Sequence, residues 1–245
     1  MTELGVVKNI VILMAMHDEA LPIVKALGLQ ENQHVMPNAL PFRCFQSTTN
    51  QSASRLSITL IISGQDSRYQ VDNIGCEAAT LMAYQAINLF SPDLLISAGT
   101  AGGFASLGAD IGTIYISDDY FVFHDRVVPL PGFEEAGIGR FPAANLKQMA
   151  SELRFKTGVI STGSSLEKNV KDQLVLKRHQ VVAKEMEAAA IAWVAMLHQV
   201  PVAAVKSITN LVDQDNQSEH EFVKNFDQAV GSLEIALLKV LRYFE

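Results

Sequence analysis

Short runs of Val, Ile and Leu without polar alternation, separated by stretches of helical spacing, constrain this chain more than any other feature. They fall at 9–16, 56–63, 94–98, 113–117, 155–161 and 202–208. Continuous apolarity over a strand-sized length marks a strand buried on both faces. Helical spacing lies between them, near 20–27, 73–90, 143–153 and 186–198. The last stretch, 219–244, places Phe222, Phe226, Leu233, Leu237, Leu241 and Phe244 on one stripe, which suits a terminal helix packed on the sheet. Strands alternating with helices imply parallel pairing through crossovers and a layered α/β fold. Ligands of such folds sit at the carboxyl ends of strands.

The 245 residues fit one domain, 1–245, with no repeat or linker composition. With 49% hydrophobic and 18% charged residues, the chain is too apolar to be disordered. A mean hydropathy of +0.18 leaves apolar surface for an oligomer interface. No run of 18 apolar residues is present, so no membrane span is expected. A net charge of −7 argues against nucleic acid and anionic lipid as partners. Cys44 and Cys76 stand far apart without neighbouring ligands, which suits neither a disulfide framework nor zinc. The first 20 residues lack a basic leader, and the expected location is cytoplasmic.

Polar residues at the strand ends are the candidates for chemistry. Glu19 follows the first run; it is either a general base with a raised pKa or a first-turn acid favoured by the helix dipole. Residues 99–103, Gly-Thr-Ala-Gly-Gly, let backbone approach a ligand closely or simply form a tight turn. Glu185 and Glu187 flank Met186 just before three alanines, a close-packed helix start with an acid suited to a vicinal diol. Asn210 ends the last strand, where Asn usually caps or turns. His124-Asp125 has the look of a metal dyad but lacks completing ligands, so no metal is expected. Residues 162–165 lack the Gly-x-Ser-x-Gly elbow of a serine hydrolase.

Taken jointly, these pieces resemble the 5′-methylthioadenosine/S-adenosylhomocysteine nucleosidases of the nucleoside phosphorylase superfamily. The resemblance is carried by Ala15-Met16-x-x-Glu19, Ser97-Ala98-Gly99-Thr100-Ala101-Gly102-Gly103, Phe123-His124-Asp125-Arg126, Glu185-Met186-Glu187-Ala188-Ala189-Ala190 and Thr209-Asn210-Leu211-Val212-Asp213. His124-Asp125-Arg126 with Pro129 and Pro131, and Asp213-x-Asp215 before Glu221-Phe222, resemble the plant-type branch. The resemblance implies a three-layer α/β/α domain with a central mixed, mostly parallel sheet, no cofactor, a small purine nucleoside as ligand, a role in methionine salvage and a homodimer. Phe121, Phe123 and Phe133 are candidates for that interface. It also implies roles: Glu19 as the base that activates water, and Glu187 as the diol acceptor. Met186 would lie against the sugar, and Thr100, Ala101 and Gly102 beneath the ribose. Lys206 would stand near the attacking water and Leu166 would face the purine. Met16, Glu185 and Thr209 complete the expected binding set.

Two positions depart from the pattern. The nucleosidases carry an aspartic acid where this chain has Asn210, and an amide cannot supply the proton that acid gives to purine N7. The plant-type pattern also has an aspartate where Ser164 stands. Asparagine is what 6-oxopurine phosphorylases of the superfamily use. The alternatives are therefore a hydrolase of 6-oxopurine nucleosides (futalosine-like substrates included), a phosphorylase, or a nucleoside-binding protein without turnover. The nucleosidase comes first on Glu19, Glu187 and the whole-chain pattern. Hydrolysis comes before phosphorolysis because no arginine set for phosphate is visible, with Arg68, after Ser63-Gly64, as the reservation.

Overall fold

The computed structural model describes residues 4–47, 56–167, 169–214 and 218–245; Asp215 lies outside them. In chain order the elements are β1 (Asn9–Met14), α1 (His17–Ala26), β2 (Gln30–Glu31), β3 (Arg43–Gln46), β4 (Ser57–Ile62), α2 (Cys76–Phe90) and β5 (Leu94–Gly103). There follow β6 (Ile114–Phe123), α3 (Phe133–Ile138), β7 (Phe141–Pro142), α4 (Lys147–Leu153), β8 (Lys156–Thr162) and α5 (Val170–Arg178). The chain ends with β9 (Val181–Glu185), α6 (Ala188–Leu197), β10 (Val202–Leu211) and α7 (Ser218–Tyr243).

One mixed sheet joins the strands in a single α/β domain. β1 lies between β4 and β5, parallel to both, and β5 is also parallel to β10. β3 pairs with β4, β9 with β5 and β6 with β10 in antiparallel sense. Because β6 pairs with β8, and β8 with β9, the strands β5, β10, β6, β8 and β9 close a ring. Alternate residues of the strands point to opposite faces. Val11, Leu13 and Leu95 join a core with α2 and α6, whereas Ile10, Ile12 and Ile96 join a second core with α1, α4 and α7. That double burial is why the strand sequences carry no polar alternation. Ala188, Ala189 and Ala190 are buried at the start of α6, where larger side chains would hold the helix off the sheet.

The strands carrying the site run further than the apolar pattern shows. β5 continues through the glycine run to Gly103, where β10 and β9 pair with it, so residues 99–103 are strand rather than turn. β6 continues past Asp118 and Asp119 through an irregularity at which Asp119 has φ +59°. That extension buries Phe121 and Phe123 in the core, which removes them from the expected interface; Phe133 remains exposed. β2, β3, β7, β9, α3 and α5 are too short or too polar to announce themselves. Among the described residues no helix is long and apolar enough to cross a membrane.

Candidate active site

The carboxyl ends of β1, β5 and β10, with the β9–α6 turn, surround a cavity of about 540 Å³. Met16, Glu19, Thr100, Ala101, Gly102, Leu166, Glu185, Met186, Glu187, Thr209 and Asn210 all line it. Lys206 is the one expected site residue set behind the wall, 2% exposed.

Glu19 sits in the first turn of α1 and is 3% exposed. One carboxylate oxygen accepts from the Thr100 amide at 2.9 Å and from the Thr100 hydroxyl at 2.6 Å. Burial raises its pKa above the usual carboxylate range, against the lowering effect of the Thr100 hydrogen bonds and the Lys206 charge. Gly99 makes this approach feasible. Its φ is +154°, and a Cβ there would lie 3.0 Å from the second Glu19 oxygen.

Behind Glu19 runs a chain of buried charge. Lys206 Nζ lies 2.9 Å from Glu185 Oε2, both side chains being almost wholly buried. Burial alone would lower the Lys206 pKa, but Glu185, Glu187 and Glu19 outweigh it and hold the ammonium charged. The Glu185 carboxylate also accepts from the Thr162 hydroxyl, from the Glu187 amide at 3.1 Å and from the Ala188 amide at 2.9 Å. It therefore satisfies the open N-terminus of α6 as well as Lys206. Glu187, at the N-cap position, makes no side-chain cap bond to its own helix. It reaches instead to the Gly75 amide at 2.9 Å, at the N-terminus of α2. Burial, then the neighbouring Glu185 charge, raises the Glu187 pKa to about 7.

Around Asn210 the lining groups are neutral. Asn210 is 3% exposed and lies just past a register irregularity between β10 and β5. Its Oδ1 accepts from the Thr209 hydroxyl at 2.9 Å. A Cβ at Gly102 would come within 3.1 Å of Asn210 Nδ2 and 2.6 Å of Val212, so only glycine leaves this end open. Leu166 and Ser165 also line the cavity.

In the loop 64–75 the sequence singles out only Arg68, after Ser63-Gly64, yet it is Gln65, Gln70, Val71, Asp72 and Ile74 that line the cavity. Asp72 accepts from the His17 amide at 2.9 Å and so ties this loop to the start of α1. The only sequence signal there is the polar, glycine-flanked character of a loop. Val212 and Phe222 were likewise missed as lining residues. Arg68 stands outside the cavity and pairs with Asp66 at 2.7 Å, 74% exposed. His124 is a buried core histidine whose Nδ1 bonds Ser161 at 2.8 Å, and burial lowers its pKa to about 4. Asp125 accepts from the Ser164 amide at 2.6 Å. Among the described residues no group of three or more His, Cys, Asp or Glu is arranged to hold a metal.

A mixed α/β sheet with this cavity at its strand ends places the molecule among the nucleoside-processing folds, and the sequence agrees: the profile of the phosphorylase superfamily matches residues 9–242, and the chain belongs to that superfamily, among the 5′-methylthioadenosine/S-adenosylhomocysteine nucleosidases. It is 34% identical over 238 residues to a 5′-methylthioadenosine nucleosidase of Arabidopsis thaliana, covering 97% of this chain and 87% of the relative. A 5′-methylthioadenosine/S-adenosylhomocysteine nucleosidase of the same plant is 33% identical, covering 97% and 92%. The apo structure of the Arabidopsis thaliana 5′-methylthioadenosine nucleosidase superposes with a TM-score of 0.93 at 33% identity, covering 98% of this chain and 97% of that one.

Proposed function

We propose that this protein is a purine nucleoside N-glycosidase that hydrolyses the ribose–purine bond of 5′-methylthioadenosine- and S-adenosylhomocysteine-type nucleosides. The carrying observation is the buried Glu185–Lys206 pair, whose charge acts on both Glu19 and Glu187, with all three carboxylates lining one cavity. Glycosidic cleavage develops positive charge on the sugar, and fixed carboxylates in a dry site stabilise that charge more than the ground state. Glu19 takes a proton from water as the water oxygen bonds C1′; the C1′–N9 bond breaks with its electron pair passing to the purine, which takes its proton from solvent. The Thr100 hydrogen bonds hold Glu19 in place and, with the charge of Lys206, favour its ionised form against its burial. Glu187 accepts from the ribose diol, Met186 and Met16 lie against the sugar, and Thr100, Ala101 and Gly102 form its floor. Leu166 faces the purine, and Thr209 orients Asn210.

Water is favoured over phosphate as nucleophile by the charge of the wall. Glu19, Asp72, Glu185 and Glu187 line the cavity against one lysine, Lys184, whose ammonium is taken up by loop carbonyls; Arg68 stands outside it, and a phosphate dianion would meet mostly negative charge. Purified protein should release purine from methylthioadenosine without added phosphate; a strict phosphate requirement overturns the hydrolase.

A second reading is favoured by Asn210. With its Oδ1 bonded to Thr209, its Nδ2 is the group left to meet the base, a donor suited to O6 of a 6-oxopurine. Rates on methylthioadenosine, adenosylhomocysteine, inosine and guanosine, with and without phosphate, separate the two. Binding without turnover is the outcome that would make the protein a nucleoside-binding protein.

The same reading takes the domain, 1–245, as three α/β/α layers around a mostly parallel sheet, since cores lie on both faces of the central strands. It further takes the protein as a cytoplasmic homodimer serving methionine salvage. Leu81 and Tyr84 of α2, with Trp193, Met196 and Leu197 of α6, are exposed on two helices that pack together, and their apolar surface suits a subunit contact. Light scattering at the mass of one chain overturns the dimer.

A further inference from the structure

Lys184 is a buried lysine that none of the roles above uses. It is 5% exposed and lines the cavity, and its ammonium donates to the carbonyls of Ser165 at 2.6 Å, Leu166 at 2.9 Å and Glu167 at 3.2 Å. Three donors meet three successive carbonyls. Among the described residues it makes no ion pair; burial lowers its pKa below the usual lysine range, against the raising effect of the Asp172, Glu167, Asp125 and Glu185 carboxylates. A buried ammonium costs several kcal/mol unless its hydrogen bonds are made, so its position and the curl of the loop depend on one another.

Side-chain burial does little to hold the loop. Residues 164–167 are exposed, Leu166 by 44%, so no hydrophobic burial fixes them. Carbonyls turned toward one point repel each other, and a cation at that point removes the repulsion. Ties at the flanks include the Ser164 amide to Asp125, the Gly163 amide to the Glu185 carbonyl, and the reciprocal Asn169–Asp172 cap of α5.

We infer that Lys184 is a positioning residue for the base-binding wall, gathering the three carbonyls so that Ser165 and Leu166 are set before the purine arrives. This rests on the proposed function for which end of the cavity receives the base. The loop then binds without being ordered by the ligand, which lowers the cost of association. β9 serves both ends of the cavity, because its alternation sends Lys184 to the base wall and Glu185 to the Lys206 network.

The test is Lys184→Met, which keeps the length and removes the charge, with Lys184→Arg as the conservative variant. Hydrogen bonds to a charged group are each commonly worth about 1.5–3 kcal/mol, so a tenfold or larger effect is expected. KM for the nucleoside and Kd for free adenine, read by calorimetric titration, should both rise about tenfold or more in Lys184→Met, with kcat within about threefold. Lys184→Arg should restore both to within about threefold of the parent. Unchanged adenine affinity overturns the inference. So does a fall in kcat matching the fall in kcat/KM, or an arginine variant as weak as the methionine one. If Lys184→Met melts early, Lys184→Gln takes its place, with the same rise required in both constants. The adenine titration needs no turnover: failure to release purine would count against the nucleosidase alone, and unchanged adenine binding against Lys184 alone.

Discussion

The two ends of the cavity are built on different physics. Around the sugar, charge is buried and held by charge: Glu185 is bonded by Lys206, Thr162 and the first amides of α6, and Glu19 is held by Thr100. Around the base, the groups that meet it are an amide at Asn210 and a leucine, and the one buried charge, Lys184, is held by backbone carbonyls with no ion pair among the described residues. Preorganised charge at the sugar end suits a reaction whose barrier is developing charge. The base end governs which leaving group is accepted and how well it leaves. Substitutions at the first end should therefore change rate, and those at the second should change preference.

The largest expected effect is at Glu19. Glu19→Gln keeps the Thr100 contacts in outline and removes the base, and general base catalysis is commonly worth ~10²–10⁴ in rate. Initial rates should fall by that order while calorimetric binding of the nucleoside stays within a few-fold. Turnover at the parent rate would move the base elsewhere. Next comes Asn210→Asp, which supplies a proton donor at the base end. Its expected outcome is faster release of 6-aminopurine, by as much as ~10²-fold, together with a lower relative rate on 6-oxopurines. An unchanged ratio between methylthioadenosine and inosine would show that this position does not read the purine.

Lys206→Met tests whether the sugar end is held by charge at all. Removing one member of a buried pair leaves the other uncompensated, at a typical cost of about 3–5 kcal/mol. The denaturant midpoint should drop accordingly. A variant as stable as the parent would mean that Thr162 and the α6 amides satisfy Glu185 without the lysine.

The same contrast explains what could be read in the sequence. Glu19, Glu187, the glycine run and Asn210 sit in continuous motifs at strand ends, and the strands themselves stand out because both faces are buried. β9 was missed because Lys184 and Glu185 occupy buried strand positions, where a hydrophobic pattern expects apolar residues. β6 was cut short by Asp118 and Asp119, which the fold admits through an irregularity in the strand. The loop 64–75 carries no periodicity, and its place in the wall follows from ties no pattern shows, Asp72 to the start of α1 and the Gly75 amide to Glu187. The split between Glu185 and Glu187 was hidden too. Two acids one residue apart look alike on paper, and only the strand-to-helix turn sends one to the α6 amides and the other to the Gly75 amide.

That split yields the smallest and most discriminating effect. Glu187 titrates near 7 in the folded protein, raised from 4.5 by burial and then by Glu185. A raised carboxylate pKa means that the folded state binds its proton more tightly than the unfolded chain does. The resulting stability is fully present below about pH 4.5 and is lost as pH rises through about 7. Glu187→Gln should therefore flatten the fall in melting temperature of the ligand-free protein over that interval. Binding has the opposite sign. A ribose diol donates to the ionised carboxylate, so nucleoside affinity should strengthen as pH rises through 7 and the complex should release a proton. Calorimetric titration in buffers of different ionisation enthalpy reads that proton directly. Release of none at pH 6 would mean that Glu187 is already ionised when free, and the electrostatic difference between the two ends of the cavity would then be smaller than the geometry implies.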